Sequence, residues 1–125
     1  MGAYILKMQR LTHAEPLRRS DCSREKALAK RTEIEGSLSG LAPRIPKHEF
    51  EATVDHAMAS KGLSHASAET AAWLSLVAYV RHALTEYDDL LAQGYDHESA
   101  RFFVAADINT ILNSWGIRRK LTAAD

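Results

Sequence analysis

Apolar positions recur every three or four residues along most of this chain, and no stretch alternates with period two for long. A helix turns about 3.6 residues at a time, so that spacing predicts helices that bury one face. The clearest seam is Trp73, Val77, Val80, Leu84, Tyr87 and Leu91. It predicts one unbroken helix from near Ser67 to the Gln93-Gly94-Tyr95 step. In its first half the other face (Ala71, Leu74, Ala78) is apolar too, so this helix is expected to be central and contacted on more than one side. Asp96 suits the cap of a further helix with the stripe Ala100, Val104, Ile108, Ile111, Leu112 and Trp115, stopped by Gly116. So short a connection makes the two helices antiparallel neighbours. Residues 71–116 hold both tryptophans, three of the four tyrosines and two of the three phenylalanines, so the core is expected there.

Upstream the pattern thins. Glu15-Pro16 argues against a helix running continuously through that point. A first helix is predicted from near Asp21 or Ser23 toward Gly40, with a sparse stripe of Ala27, Ile34, Leu38 and Leu41. The segment from Ala42 to Pro46 reads as a punctuated linker, and Pro46 suits the first turn of a second helix. That helix, about 46–61, is expected to bury Phe50, Val54, Ala57 and Met58. Gly62 followed by Leu63 predicts a left-handed glycine stop. The fold class is therefore all-α, a small bundle of three to four helices built on a long antiparallel helical hairpin. The expected domains are an N-terminal basic arm with a short helix (1–42), a helical core (43–120) and a C-terminal tail (121–125).

Composition narrows the classes. At 125 residues the chain has the size of a single domain, and its apolar and charged fractions, 46% and 26%, are those of a globular protein. No apolar run reaches the roughly 18 to 20 residues of a membrane span. The opening Gly-Ala-Tyr-Ile-Leu-Lys-Met is too short for a signal-peptide core, so a cytoplasmic location is the expectation. Cys22 is the only cysteine, which excludes an internal disulfide. Net charge is zero, but residues 1–47 carry ten Lys/Arg against five Asp/Glu, and the remainder six against eleven.

The run Tyr79-Val80-Arg81-His82, then Thr85, Tyr87-Asp88, Leu90-Leu91, Gly94, Ala100-Arg101 and finally Trp115 resembles the bacterial branch of the family called domain of unknown function 2293. The resemblance spans roughly residues 43–120. Where that family usually has a basic residue shortly after the glycine, this chain has His97 and Glu98. The family has no assigned activity, so the resemblance implies none.

Candidate chemistry is sparse. Arg81, His82, Tyr87, Asp88 and Arg101 form one cluster near the hairpin turn, read either as a pocket for carboxylate or phosphate or, preferably, as a polar clasp that sets the register. By phase Arg101 falls in line with Ile108 on the buried stripe, and an Arg101–Asp88 ion pair is expected because an unpaired buried charge is costly. His82 and Glu86, four apart, are a weak two-ligand metal candidate, more simply a helix-supporting pair. The other histidines, His97 among them, lack metal-ligand spacing and read as surface residues. No nucleophile elbow or phosphate-binding glycine loop is present. Arg18, Arg19, Arg24, Lys30 and Arg31 in the arm, with Arg118, Arg119 and Lys120 after Gly116, are the nucleic-acid candidates. The last three also suit the negative end of the preceding helix.

These features favour a binding module over an enzyme, with no cofactor and no membrane contact. The leading expectation is protein interaction or self-association as a homodimer, motivated by the two apolar faces of the central helix. Nucleic-acid association through the arm and Arg118–Lys120 is the alternative, and a metal-dependent enzyme at His82 and Glu86 the second alternative.

Overall fold

The computed structural model describes the backbone of residues 15–121 and the side chains of residues 23–121. The beginning of the expected arm, the tail after Leu121 and the side chains of Cys22, Arg18 and Arg19 lie outside the described residues. Among the described residues five α-helices follow in order: α1 (Glu15–Leu41), α2 (Lys47–Ala59), α3 (Ala68–Leu84), α4 (Tyr87–Ala92) and α5 (His97–Ser114). A 3-10 turn (Lys61–Leu63) precedes α3, and no strand occurs among the described residues. The fold is all-α. None of these helices is long and apolar enough to cross a membrane.

The chain divides into two compact units between Thr32 and Glu33. The first contributes the helical residues of α1 up to Thr32. Ala27 and Leu28 are exposed there, and Thr32 donates its hydroxyl hydrogen to the Leu28 carbonyl oxygen at 2.8 Å. The described part of α1 begins at Glu15, ahead of the start expected near Asp21 or Ser23, with Pro16 in its first described turn.

The second unit holds the core. Ile34, Leu38 and Ala42 at the end of α1 are buried with Val54 and Ala57 of α2, and with Val104, Ile108 and Leu112 of α5. The compact unit thus begins well ahead of Pro43. Helix α3 is central as expected: Ala71, Ala72, Trp73, Ser75, Leu76, Val77 and Val80 are all buried. It packs against α2 and α5, while Leu74 and Ala78 of its second apolar face are half-buried. Ser67 caps it by accepting the N–H of Thr70 at 3.2 Å.

The hairpin differs from the sequence reading in one respect: its first arm is two helices. α3 stops at Leu84, and the next helix begins at Tyr87. Thr85 is the cause. Its hydroxyl donates to the carbonyl oxygen of Arg81, and the Thr85 hydroxyl oxygen itself accepts the N–H of Tyr87 at 3.3 Å. The side chain thereby takes over backbone hydrogen bonding that an unbroken helix would have used, and the Thr85 backbone is extended (φ −129°, ψ 171°). Leu84 consequently leaves the buried seam and is exposed, while Tyr87 returns to it at 3% exposure.

The second correction concerns glycines. Gly62 does not take a left-handed conformation; α2 ends at Ala59 and passes through Ser60 into the 3-10 turn. The left-handed stops are Gly94 (φ 103°) after α4 and Gly116 (φ 82°) after α5. Both show the paired closing bonds of a Schellman end: Gly94 N–H to Leu91 O with Tyr95 N–H to Leu90 O, and Gly116 N–H to Asn113 O with Ile117 N–H to Leu112 O. Ile117 then packs back into the core at 2% exposure. Trp73 and Trp115 are both buried, but Tyr95, Phe102 and Phe103, counted with the core from composition, are exposed.

Candidate functional site

The turn from α3 through α4 into α5 gathers most of the polar residues singled out in the sequence. Arg81 and His82 end α3, Tyr87 and Asp88 open α4, and the reversal at Gly94 brings the first residue of α5, His97, back over them. His82 Nδ1 lies 2.7 Å from Asp88 Oδ1. The His82 ring meets Tyr87 edge-on, with centroids 5.2 Å apart. Tyr87 Oη lies 2.9 Å from His97 Nδ1, and the Arg81 guanidinium stands 5.5 Å from the centroid of the Tyr87 ring. Tyr87, 3% exposed, is thus the hub.

Two expectations are corrected here. Arg101 is exposed, and the Asp88 carboxylate goes to His82 instead of to Arg101. By phase position 101 lies between the buried Ile108 and Leu112, but it stands near the start of α5 and is exposed there. With no burial to demand a partner, the premise for the Arg101–Asp88 pair disappears. The His82–Glu86 pair also loses its premise, because the break at Thr85 means that the two residues do not share one helix; Glu86 is exposed at the start of α4. Among the described residues no group of three or more His, Cys, Asp or Glu side chains converges as a metal site.

The sequence reading missed His97. Its partner Tyr87 is ten residues away and becomes a neighbour only after the chain reverses. One signal pointed at it: His97 stands where the resembling family usually carries a basic residue. Replacing Tyr87 by Phe keeps the ring packing and removes the hydroxyl. The expected cost is about 0.5 to 1.5 kcal/mol, read as a lower urea midpoint with an unchanged slope.

Just beyond the clasp, α5 turns an aromatic group outward. Phe102 and Phe103 are 78% and 53% exposed, and Tyr95 is 43% exposed. The three rings touch edge-on in series, with centroids of Tyr95 and Phe103 at 5.4 Å and of Phe103 and Phe102 at 6.1 Å. The helix start beneath them is fixed by Asp96, which accepts the N–H of Ser99 at 2.7 Å. The hydrogen bonds from Ser99 hold the Asp96 carboxyl below its usual range. This cap is therefore in force at neutral pH and is lost as acid protonates the carboxylate.

The basic candidates are separated. Arg24 is exposed and Lys30 and Arg31 are half-buried on α1, within the unit that ends at Thr32. Arg118, Arg119 and Lys120 are exposed after α5. Arg44 reaches the end of that helix from the loop before α2, donating Nε to Ser114 O and Nη2 to Asn113 O, both at 3.4 Å.

Comparison with known proteins adds a family and nothing more specific. Residues 37–116 match the model of a family described as Uncharacterized conserved protein (DUF2293). The match covers more than half of the chain, from the last turns of α1 to the glycine that stops α5, and so includes both the clasp and the aromatic face. No curated protein and no solved structure matches the chain.

Proposed function

We propose that this chain, which belongs to the family of uncharacterized conserved proteins DUF2293, is a small helical binding module that pairs with a second copy of itself through the outer face of α5. The observation that carries this reading is the exposure of Phe102 and Phe103. Scattered surface leucines are common, but adjoining exposed phenylalanines are a large apolar area left in water. Full burial of one such side chain is favourable by about 1.5 to 3 kcal/mol.

The surroundings suit a like partner. On a helical wheel Ser99, Phe102, Phe103, Ala106, Thr110 and Asn113 share the outward side of α5, an uncharged stripe with small residues at Ser99 and Ala106 where a second helix can come close. A twofold pairing sets the same stripe against itself, the commonest symmetry among soluble oligomers. The chain as a whole has zero net charge, so no long-range repulsion opposes association. The clasp acts structurally in this reading: it fixes the turn that orients α5.

Sedimentation velocity from low micromolar to about 1 mM tests the proposal. The parent should shift toward a dimer with concentration. The Phe102→Ser, Phe103→Ser double variant should stay monomeric with a melting temperature within a few degrees of the parent, since exposed positions contribute little to folding. A parent that is monomeric throughout, or a double variant that dimerises equally well, would rule the reading out.

A further inference from the structure

A second surface, away from the aromatic face, is lined by arginines. The loop between α1 and α2 and the residues after α5 enclose a groove of about 810 Å³. Arg44, Arg118 and Arg119 line it with Gly40, Pro43 and Gly116, and no aspartate or glutamate does. Its volume lies within the range of ligand clefts, about 300 to 1,000 Å³. Glu69 stands in an adjoining groove of about 380 Å³ that shares Arg119. The positive end is therefore the one formed by Arg44 and Arg118.

The walls are held in place. Arg44 donates its backbone N–H to Trp115 O at 2.9 Å and its guanidinium to the Asn113 and Ser114 carbonyl oxygens. Arg119 lies over the Trp73 ring, with Cζ 4.3 Å from the centroid. Beyond them Ile117 is buried, and the Leu121 N–H donates to Asn109 Oδ1 at 3.2 Å, tying the C-terminal segment back along α5. Guanidinium groups positioned in advance lose less side-chain entropy when they take a ligand.

We propose that this groove binds the phosphate groups of a nucleic-acid backbone. Arginine matches phosphate oxygens in geometry and charge, and Arg118 beside Arg44, at the end of the groove away from Glu69, forms a site for anionic groups. The one aromatic ring nearby, Trp73, is 1% exposed and covered by Arg119, so the groove offers no face for stacking a base. Binding is therefore to the backbone, with little preference for sequence. Of the α5 stripe Asn113 lines the groove, while Phe102 and Phe103 do not.

Fluorescence anisotropy of the full chain with a labelled single strand of about 12 nucleotides and a duplex of equal length tests this, with a glutamate peptide of equal charge as the competing anion. Both nucleic acids should bind, with log affinity falling linearly against log salt. Arg118→Gln and Arg44→Gln should each lower that slope by about one, while Arg101→Gln, another exposed cation, should change nothing. Because Arg44 also closes the end of α5, Arg118→Gln is the decisive variant. Absence of binding at low salt, an Arg118→Gln chain that binds as the parent does, or a glutamate peptide that binds as tightly as the strands would overturn the proposal.

Discussion

Replacing Trp73 by Ala should lower the folding free energy by about 3 to 5 kcal/mol, the cost of emptying a large aromatic site in a packed core. Trp73 is 1% exposed near the start of α3, the helix on which α2 and α5 both pack. It is flanked by Arg119 above its ring and by the end of α1, where Gly36, Ser37 and Gly40 border the same groove. Small residues there have no side chain long enough to fill the space left behind. Domains of this size are stable by about 5 to 15 kcal/mol in total, so the variant should be close to unfolding at room temperature. Urea denaturation followed by circular dichroism reads the effect: the midpoint should fall steeply with little change in slope. A loss below about 1 kcal/mol would mean that the ring is not part of the core.

Gly116→Ala is the second large effect, and it has two separable sources. A left-handed alanine costs about 1 to 2 kcal/mol, and Gly116 stands at φ 82°. A Cβ there would also come 3.0 Å from Pro43 Cγ and 3.3 Å from Pro43 Cδ, atoms of a stiff ring in the loop before α2. Displacing a packed neighbour adds about 1 to 3 kcal/mol. Gly94 separates the two terms, because its φ is 103° but a Cβ meets nothing within 4 Å. Gly94→Ala should therefore show the backbone cost alone, and the difference in urea midpoint between the two variants measures the contact with Pro43. Equal losses would show that the loop yields freely.

Much of this architecture was legible because helical periodicity records burial. The stripe of Val104, Ile108, Leu112 and Trp115 and the first half of the Trp73 seam are buried as their spacing predicts. The break at Thr85 was not legible, since an apolar pattern is blind to a hydroxyl that competes for backbone hydrogen bonds. Gly62 misled for a related reason: a glycine followed by an apolar residue allows a left-handed stop without requiring one. Arg101 shows the limit of phase arguments: it is in line with the buried Ile108 and Leu112 yet exposed near the start of α5, because phase does not say whether a neighbour covers that end of the helix. His97 needed the tertiary reversal before Tyr87 could reach it. Phe102 and Phe103 carried a signal that was passed over, two aromatic residues outside the buried stripe of their own helix. Arg44, reading as part of a linker, gains its partners only when the loop before α2 packs beside the end of α5.

The proposed pairing of α5 with its copy is tested most directly by intermolecular contacts in solution. An equal mixture of isotope-labelled and unlabelled chains at about 1 mM, examined by filtered nuclear Overhauser spectroscopy, reports only contacts between molecules. The Phe102 and Phe103 ring protons should show cross-peaks to α5 residues of the other copy. Intermolecular cross-peaks confined to other helices, or none at all at that concentration, would contradict the account.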